Sequence, residues 1–215
     1  MRKSTTRFLI FLSLACISQS CNQYRHMQKV SSDESCLQKL KPDFNHVVYK
    51  TSVDVIGKHF SGLLVVKQMP DSSERVVFTN EMGFSFFDFG FPLDSGFKVY
   101  LIVPQMNKKG LIQTLRKDFE LLLFRNMDSN KYYALKDSGL IYHSYPQTVG
   151  VNYYITDSSC GQLVKMQRAS TKKPVMEAFT YGGSSGIAPD SISLRHFNIS
   201  HFSITLKKIS APAPQ

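Results

Sequence analysis

The chain has no tryptophan, only four cysteines in 215 residues, and no run of eighteen apolar residues. Each shortage excludes something. A helix crossing the roughly 30 Å hydrocarbon core of a bilayer needs about 20 apolar residues, so no segment here is a permanent transmembrane helix. No two cysteines have the C-x-x-C spacing and none sits in a cysteine and histidine cluster along the sequence, which argues against zinc fingers and dithiol redox motifs. Acidic residues are also scarce, 16 against 26 lysines and arginines, for a net charge of +10. The excess is scattered and lacks the aromatic-plus-basic signature of an RNA-binding surface, so it reads as solvated faces and not as a nucleic-acid site. No internal repeat is visible.

What the sequence does have begins at its N-terminus. Arg2, Lys3 and Arg7 precede the apolar stretch Phe8 to Ile17, and Ser18, Gln19, Ser20 and Cys21 restore polarity. A basic start, a short apolar segment and small residues make a secretory signal. Its ten positions rise only about 15 Å as a helix, half of a bilayer core. Cys21, preceded by Ser20, stands where bacterial lipoproteins carry the cysteine that is diacylated, with plain secretion as the alternative. Removing residues 1–20 takes three basic and no acidic residues, leaving a net charge of +7. Of the remaining cysteines, Cys36 and Cys160 could bridge in an oxidising compartment, or stay as buried thiols.

Downstream, 16 Phe and 10 Tyr in short alternating runs favour strands. A short helix is expected over 33–40, capped by Ser32 or Asp33 and ended by Pro42. Strands are then expected near 47–55, 60–69, 75–79, 84–91, 96–103, 132–136, 140–145, 151–156, 162–168, 175–181, 191–197 and 202–209, separated by turn formers such as Asp137-Ser138-Gly139. Phe84, Phe86, Phe87, Phe89 and Phe91 share one face only if the strand slips phase by a residue, which a bulge between Phe86 and Phe87 achieves. One long helix is expected, capped by Asn107, with Leu111, Ile112, Leu115, Phe119 and Leu122 on its apolar stripe. The expected fold is therefore mainly β: a curled antiparallel sheet or half-open barrel of about 11 strands with one amphipathic helix against its concave face. By segment, 1–20 is the signal peptide, 21–43 a tether with the short helix, 44–210 a single β-rich domain, and 211–215 a disordered tail.

The strand Phe60-Ser61-Gly62, the run Arg75 to Thr79 followed by Met82-Gly83, and a helix started by Pro104 after the fifth strand follow one another as in the LolA/LolB family of lipoprotein-localisation factors. The chain resembles that family from about His46 to Phe124, and resembles envelope lipoproteins of Bacteroidota in its signal, size and strand pattern. The resemblance implies a half-open barrel plugged by helices, with an apolar space that receives acyl chains.

Several motifs look catalytic and fail on context. Gly182-Gly183-Ser184-Ser185-Gly186 has the G-x-S-x-G form of a nucleophile elbow, but Pro189 follows and the next segment alternates like a strand, where the elbow needs a helix. Asp190, His196 and His201 crowd together in sequence. His196 and His201, five apart, face opposite sides of a strand. His26, His46, His59 and His143 have no carboxylate at ligand spacing. Asp118 and Glu120 read as a solvated helix face, and Asn198-Ile199-Ser200 as a chance sequon. The expectation is a non-enzymatic lipoprotein of the cell envelope without cofactor or metal, lipid-anchored at Cys21 to the membrane surface, facing the periplasm from the outer membrane. Phe84, Phe86, Phe87, Phe89, Leu115, Phe119 and Leu122 would line an apolar cavity for acyl chains or a lipidated protein. The alternative is an accessory docking subunit with a filled core.

Overall fold

β-branched and aromatic residues at alternate positions build almost every element of the chain into strands. The computed structural model describes residues 22–209 except 56, 95, 184, 185, 200 and 201. Its strands are β1 (Gln28–Val30), β2 (His46–Val55), β3 (Lys58–Gln68), β4 (Glu74–Thr79), β5 (Ser85–Phe91), β6 (Lys98–Ile102), β7 (Tyr133–Asp137), β8 (Leu140–Pro146), β9 (Val151–Asp157), β10 (Leu163–Ala169), β11 (Pro174–Tyr181), β12 (Ser191–His196) and β13 (Ser203–Lys208). The helices are α1 (Cys36–Leu40) and α2 (Lys109–Leu122).

All thirteen strands join one antiparallel sheet in the order β1-β7-β8-β9-β10-β11-β12-β13-β2-β3-β4-β5-β6. Two meanders, β2 to β6 and β7 to β13, are thus sewn together by β13 pairing with β2. Helix α2 is the crossover that carries the chain from the β6 edge back to β7. The mainly-β expectation stands, but the half-open barrel of about 11 strands is corrected: the sheet is neither closed nor strongly curled. Closure requires the first and last strands to bond to each other. Here the free side of β7 is taken by the three-residue β1, drawn from the stretch read as tether, and β6 remains an edge.

The phase slip in the phenylalanine ribbon is present. Phe78 pairs with Phe87 but Thr79 with Ser85, so Phe86 is the extra residue, and Phe87, Phe89 and Phe91 turn together into the core. Gly62 is required where β3 passes this bulge, because a Cβ there would lie 1.9 Å from the Thr79 carbonyl oxygen.

Helix α2 lies on the face that carries the main core. Phe119 meets Phe87 and Phe91 of β5, with ring centroids 5.9 and 6.4 Å apart, and the Tyr154 hydroxyl of β9 donates to the Leu121 carbonyl over 3.1 Å. Two sequence readings of this helix are corrected. Lys108, not Asn107, holds the N-cap position, and no side chain bonds there. Asp118 and Glu120 are buried, not solvated: Asp118 takes Arg168 of β10 on Oδ1 and His196 of β12 on Oδ2, both at 2.8 Å, and Glu120 takes Arg116 at 2.7 Å. Burying a carboxylate is tolerated only where cations or donors meet it; the sheet supplies them to Asp118, and α2 itself supplies Arg116 to Glu120.

The opposite face of β7 to β10 has its own cluster, Leu135, Tyr142, Tyr153, Ile155 and Ala169, covered by Tyr24 and Met27. Strand β9 is therefore buried on both faces, Tyr154 in the main core and Tyr153 in the second.

Candidate functional site

Where α2 ends, the chain turns in an unusual way. The Leu123 and Phe124 amides bond to the Phe119 and Leu121 carbonyls, and the Arg125 amide reaches back to the Glu120 carbonyl at 2.8 Å. This is a Schellman-type ending, in which glycine usually takes the left-handed position. Here Phe124 takes it, at φ 54°, and Asn126 follows at φ 58°. Left-handed backbone at a residue with a side chain persists only where packing holds it; the Phe124 ring lies 4.3 Å from that of Tyr154.

That turn forms one wall of a groove of about 1400 Å3 between the end of α2, the β8–β9 turn and the α1 region. Leu93, Met127 and Val149 give it apolar surface, over Leu123 and Phe124, which are buried in the main core beneath. Lys41, Arg116, Lys117, Arg125, Lys131 and Arg168 supply six cations against the carboxylates of Glu74, Glu120 and Asp128. Most of the cations are engaged. Arg125 donates to Glu74 and to the Pro92 carbonyl and Arg116 to Glu120, while Arg168 is ion-paired with Asp118 at 2.8 Å and Lys131 with Asp128 at 2.9 Å. Asp128 is held below the usual carboxylate range by Lys131 and the Asn130 amide. Lys41 and Lys117 have no carboxylate partner among the described residues. The groove is thus amphipathic, greasy on part of its wall and positive at its rim.

The residues expected to line a cavity are elsewhere. Phe87, Phe89, Leu115, Phe119 and Leu122 are at most 5% exposed and belong to the main core. Phe87 stacks on Phe89 at 4.4 Å. Phe86 is half-buried between Phe60 and Phe78, and Phe84, before the bulge, is 58% exposed. None of the seven borders the groove. The lipidation candidate Cys21 lies outside the described residues.

Cys36 and Cys160 are joined by a disulfide across 124 residues. His143 of β8 is fully buried against it, with Nε2 3.7 Å from Cys36 Sγ and Nδ1 2.9 Å from the Tyr132 hydroxyl. Burial pushes the His143 pKa below its ordinary value, with Glu34 opposing.

Around the G-x-S-x-G sequence, Gly182 and Gly183 have φ of 66° and 75°, and strand β12 follows. Ser184, Ser185 and His201 lie outside the described residues. Asp190 is bound to Lys208 at 2.6 Å and His196 to Asp118, so both are committed to structure. The Gly182 side chain position is closed by Asp190, whose Oδ2 would lie 2.2 Å from a Cβ.

No family model matches the chain, and no curated protein matches it. Among solved structures it is similar to the LolA superfamily protein NE2245 from Nitrosomonas europaea, with a TM-score of 0.49 and 8% identity over 84% of this chain and 93% of that one. It is also similar to a DUF1329 family protein from Desulfovibrio piger, with a TM-score of 0.39 and 9% identity over 80% of this chain and 89% of that one.

Sequence reasoning missed the groove because its lining is drawn from α2, from several strands and from the turns between them, which meet only in the folded chain. The run Leu121 to Phe124 extends the helix stripe and reads as more core. Lys41 and Lys117 carry no local motif. A signal was present in the segment 125–131, where Arg125 and Lys131 flank Met127 in a stretch with neither helical nor strand period.

Proposed function

We propose that the protein is a non-enzymatic cell-envelope lipoprotein that handles acyl chains or lipidated partners, and that the groove beside the end of α2 is where an anionic amphiphile docks. The observation that carries this reading is the pairing of apolar wall with spare positive charge. Leu93, Met127 and Val149 can shelter a chain while Lys41 and Lys117 meet an anionic headgroup. Sheltering roughly 200 Å2 of acyl surface is worth about 5 kcal/mol before association costs, which suits transient carriage more than storage. The signal-like N-terminus, Cys21 and the Cys36–Cys160 disulfide support an extracytoplasmic address, since disulfides persist in oxidising compartments. Lipid at Cys21 would tie the domain to a membrane surface, and we place it at the outer membrane facing the periplasm.

Titration of delipidated protein with a fluorescent fatty acid tests the reading. Saturable binding that weakens about tenfold in the K41E/K117E double variant is expected. Absence of saturable binding, or equal affinity in the double variant, would overturn it.

A second reading rests on a different observation. Edge strand β6 presents Val99, Tyr100 and Leu101 at 41, 55 and 44% exposure, beside an exposed Leu93. Exposed apolar edges invite strand addition. A docking subunit would receive a partner's strand there; a stoichiometric complex broken by Leu101→Lys, with fatty-acid binding absent, would favour this role.

A further inference from the structure

The cluster of Cys36, His143 and Cys160 takes no part in the proposed function. Its two sulfurs and a ring nitrogen all lie within 4.8 Å of one another. We infer that the Cys36–Cys160 disulfide masks a site for a thiophilic divalent cation such as Zn2+, and that reduction by a dithiol opens it.

The donor geometry suits such an ion. With bonds of about 2.3 Å to sulfur and about 2.1 Å to nitrogen, tetrahedral zinc sets neighbouring donors roughly 3.5 to 3.8 Å apart. The Cys36 Sγ to His143 Nε2 distance is already 3.7 Å. The two α-carbons are 6.1 Å apart, so once the bond is cut the sulfurs can separate by side-chain rotation alone. Both cysteines are half-buried while the histidine is fully buried, which leaves an open side for entry and for a water as fourth ligand.

The histidine ring is also held in place from both of its nitrogens. Tyr132 stands 2.9 Å from Nδ1, and its hydroxyl donates to the Ser32 carbonyl over 3.3 Å. With that hydrogen spent on Ser32, Nδ1–H donates to the Tyr132 oxygen. Nε2 lies 3.7 Å from Cys36 Sγ and 3.1 Å from the Thr156 hydroxyl, which donates to the Asp157 carbonyl over 3.0 Å. In this tautomer the Nε2 lone pair is free to exchange the Thr156 contact for a metal beside the sulfurs. A metal-ligating histidine is ordinarily fixed in this way by a partner on its other nitrogen. The three ligands come from α1, β8 and the β9–β10 turn, so the site exists only in the folded chain.

The chemistry balances with the dithiol as co-reactant. One of its thiolates attacks Cys160 Sγ, the Cys160–Cys36 bond breaks, and the electron pair leaves on Cys36 Sγ beside His143. The second thiol then displaces Cys160, giving two cysteine thiols and the oxidised dithiol, with two electrons and two protons delivered to the protein. Cation binding next releases the two thiol protons to solvent.

The test uses the full-length chain carrying C16S and C21S, so that the only cysteines are these two. After reduction with a phosphine, titration with Co2+ should give one equivalent bound, with near-ultraviolet thiolate-to-cobalt charge transfer that Zn2+ abolishes. The oxidised chain should give none. C36S should bind at least 100-fold more weakly, and Tyr132→Phe, which keeps the ring but removes the acceptor for Nδ1–H, about 10- to 100-fold more weakly. His143→Gln should lose the charge-transfer band's one-to-one endpoint; if that variant does not fold, Tyr132→Phe carries the readout. A reduced chain that shows no thiolate band, folded or unfolded by circular dichroism, overturns the inference. So does affinity unchanged in C36S or Tyr132→Phe, or equally tight binding by the chain unfolded in urea.

Discussion

His143 titrates against folding. Its folded pKa is depressed by burial while the unfolded chain protonates near 6.5, so the unfolded state takes up the proton first as pH falls. Its contribution is therefore complete above about pH 6.5 and lost below, by at most about 1.4 kcal/mol per pH unit. Urea midpoints of the oxidised protein should fall from pH 7 to pH 5.5, and this slope should flatten in His143→Gln. An unchanged slope in the variant would contradict the assignment. Gly62 makes a second prediction at this scale. A Cβ would sit inside the Thr79 carbonyl, so Gly62→Ala forces β3 away from the bulge and should cost about 2 to 3 kcal/mol in thermal or urea unfolding. The turn chemistry and the phenylalanine phase slip were readable in sequence, because both follow from local spacing. The need for glycine at position 62 was not, because the clashing oxygen belongs to another strand.

Helix α2 was visible from its three- and four-residue apolar steps, and Leu115, Phe119 and Leu122 do face the core. Its polar side was misread, since Asp118 looks like any solvated carboxylate until Arg168 and His196 arrive from β10 and β12. That ion pair pins the crossover helix to the sheet. Removing one partner of a buried pair strands the others, so Asp118→Ala should destabilise by about 3 to 5 kcal/mol, measured by equilibrium denaturation. A loss below about 1 kcal/mol would show that apolar contacts alone hold the helix. Strand β1 was hidden for a related reason. Three residues carry no period, and Gln28 to Val30 become a strand only because β7 offers a free edge.

For the whole molecule, the disulfide and the groove decide behaviour. Cys36 and Cys160 close a loop of 124 residues, so reduction without added metal should lower stability by about 2 to 5 kcal/mol, read as a shift in the urea midpoint. Binding of an anionic amphiphile at the groove rim should weaken between low salt and 1 M salt, where the screening length falls from about 30 to 3 Å. Affinity that rises with salt would point to apolar docking without the lysines.

From the sequence by itself came the class of the protein: a signal-like start, a β-rich body, one amphipathic helix, and no recognisable catalytic set. These are local properties, written in composition and in periods of two and 3.6 residues. The tertiary structure decided that the sheet stays open, that the phenylalanines pack on one another, and that the amphipathic groove opens at the end of α2. Each of those depends on which distant segments meet, and hydrophobic burial rewards any such meeting that excludes water without marking it in the chain.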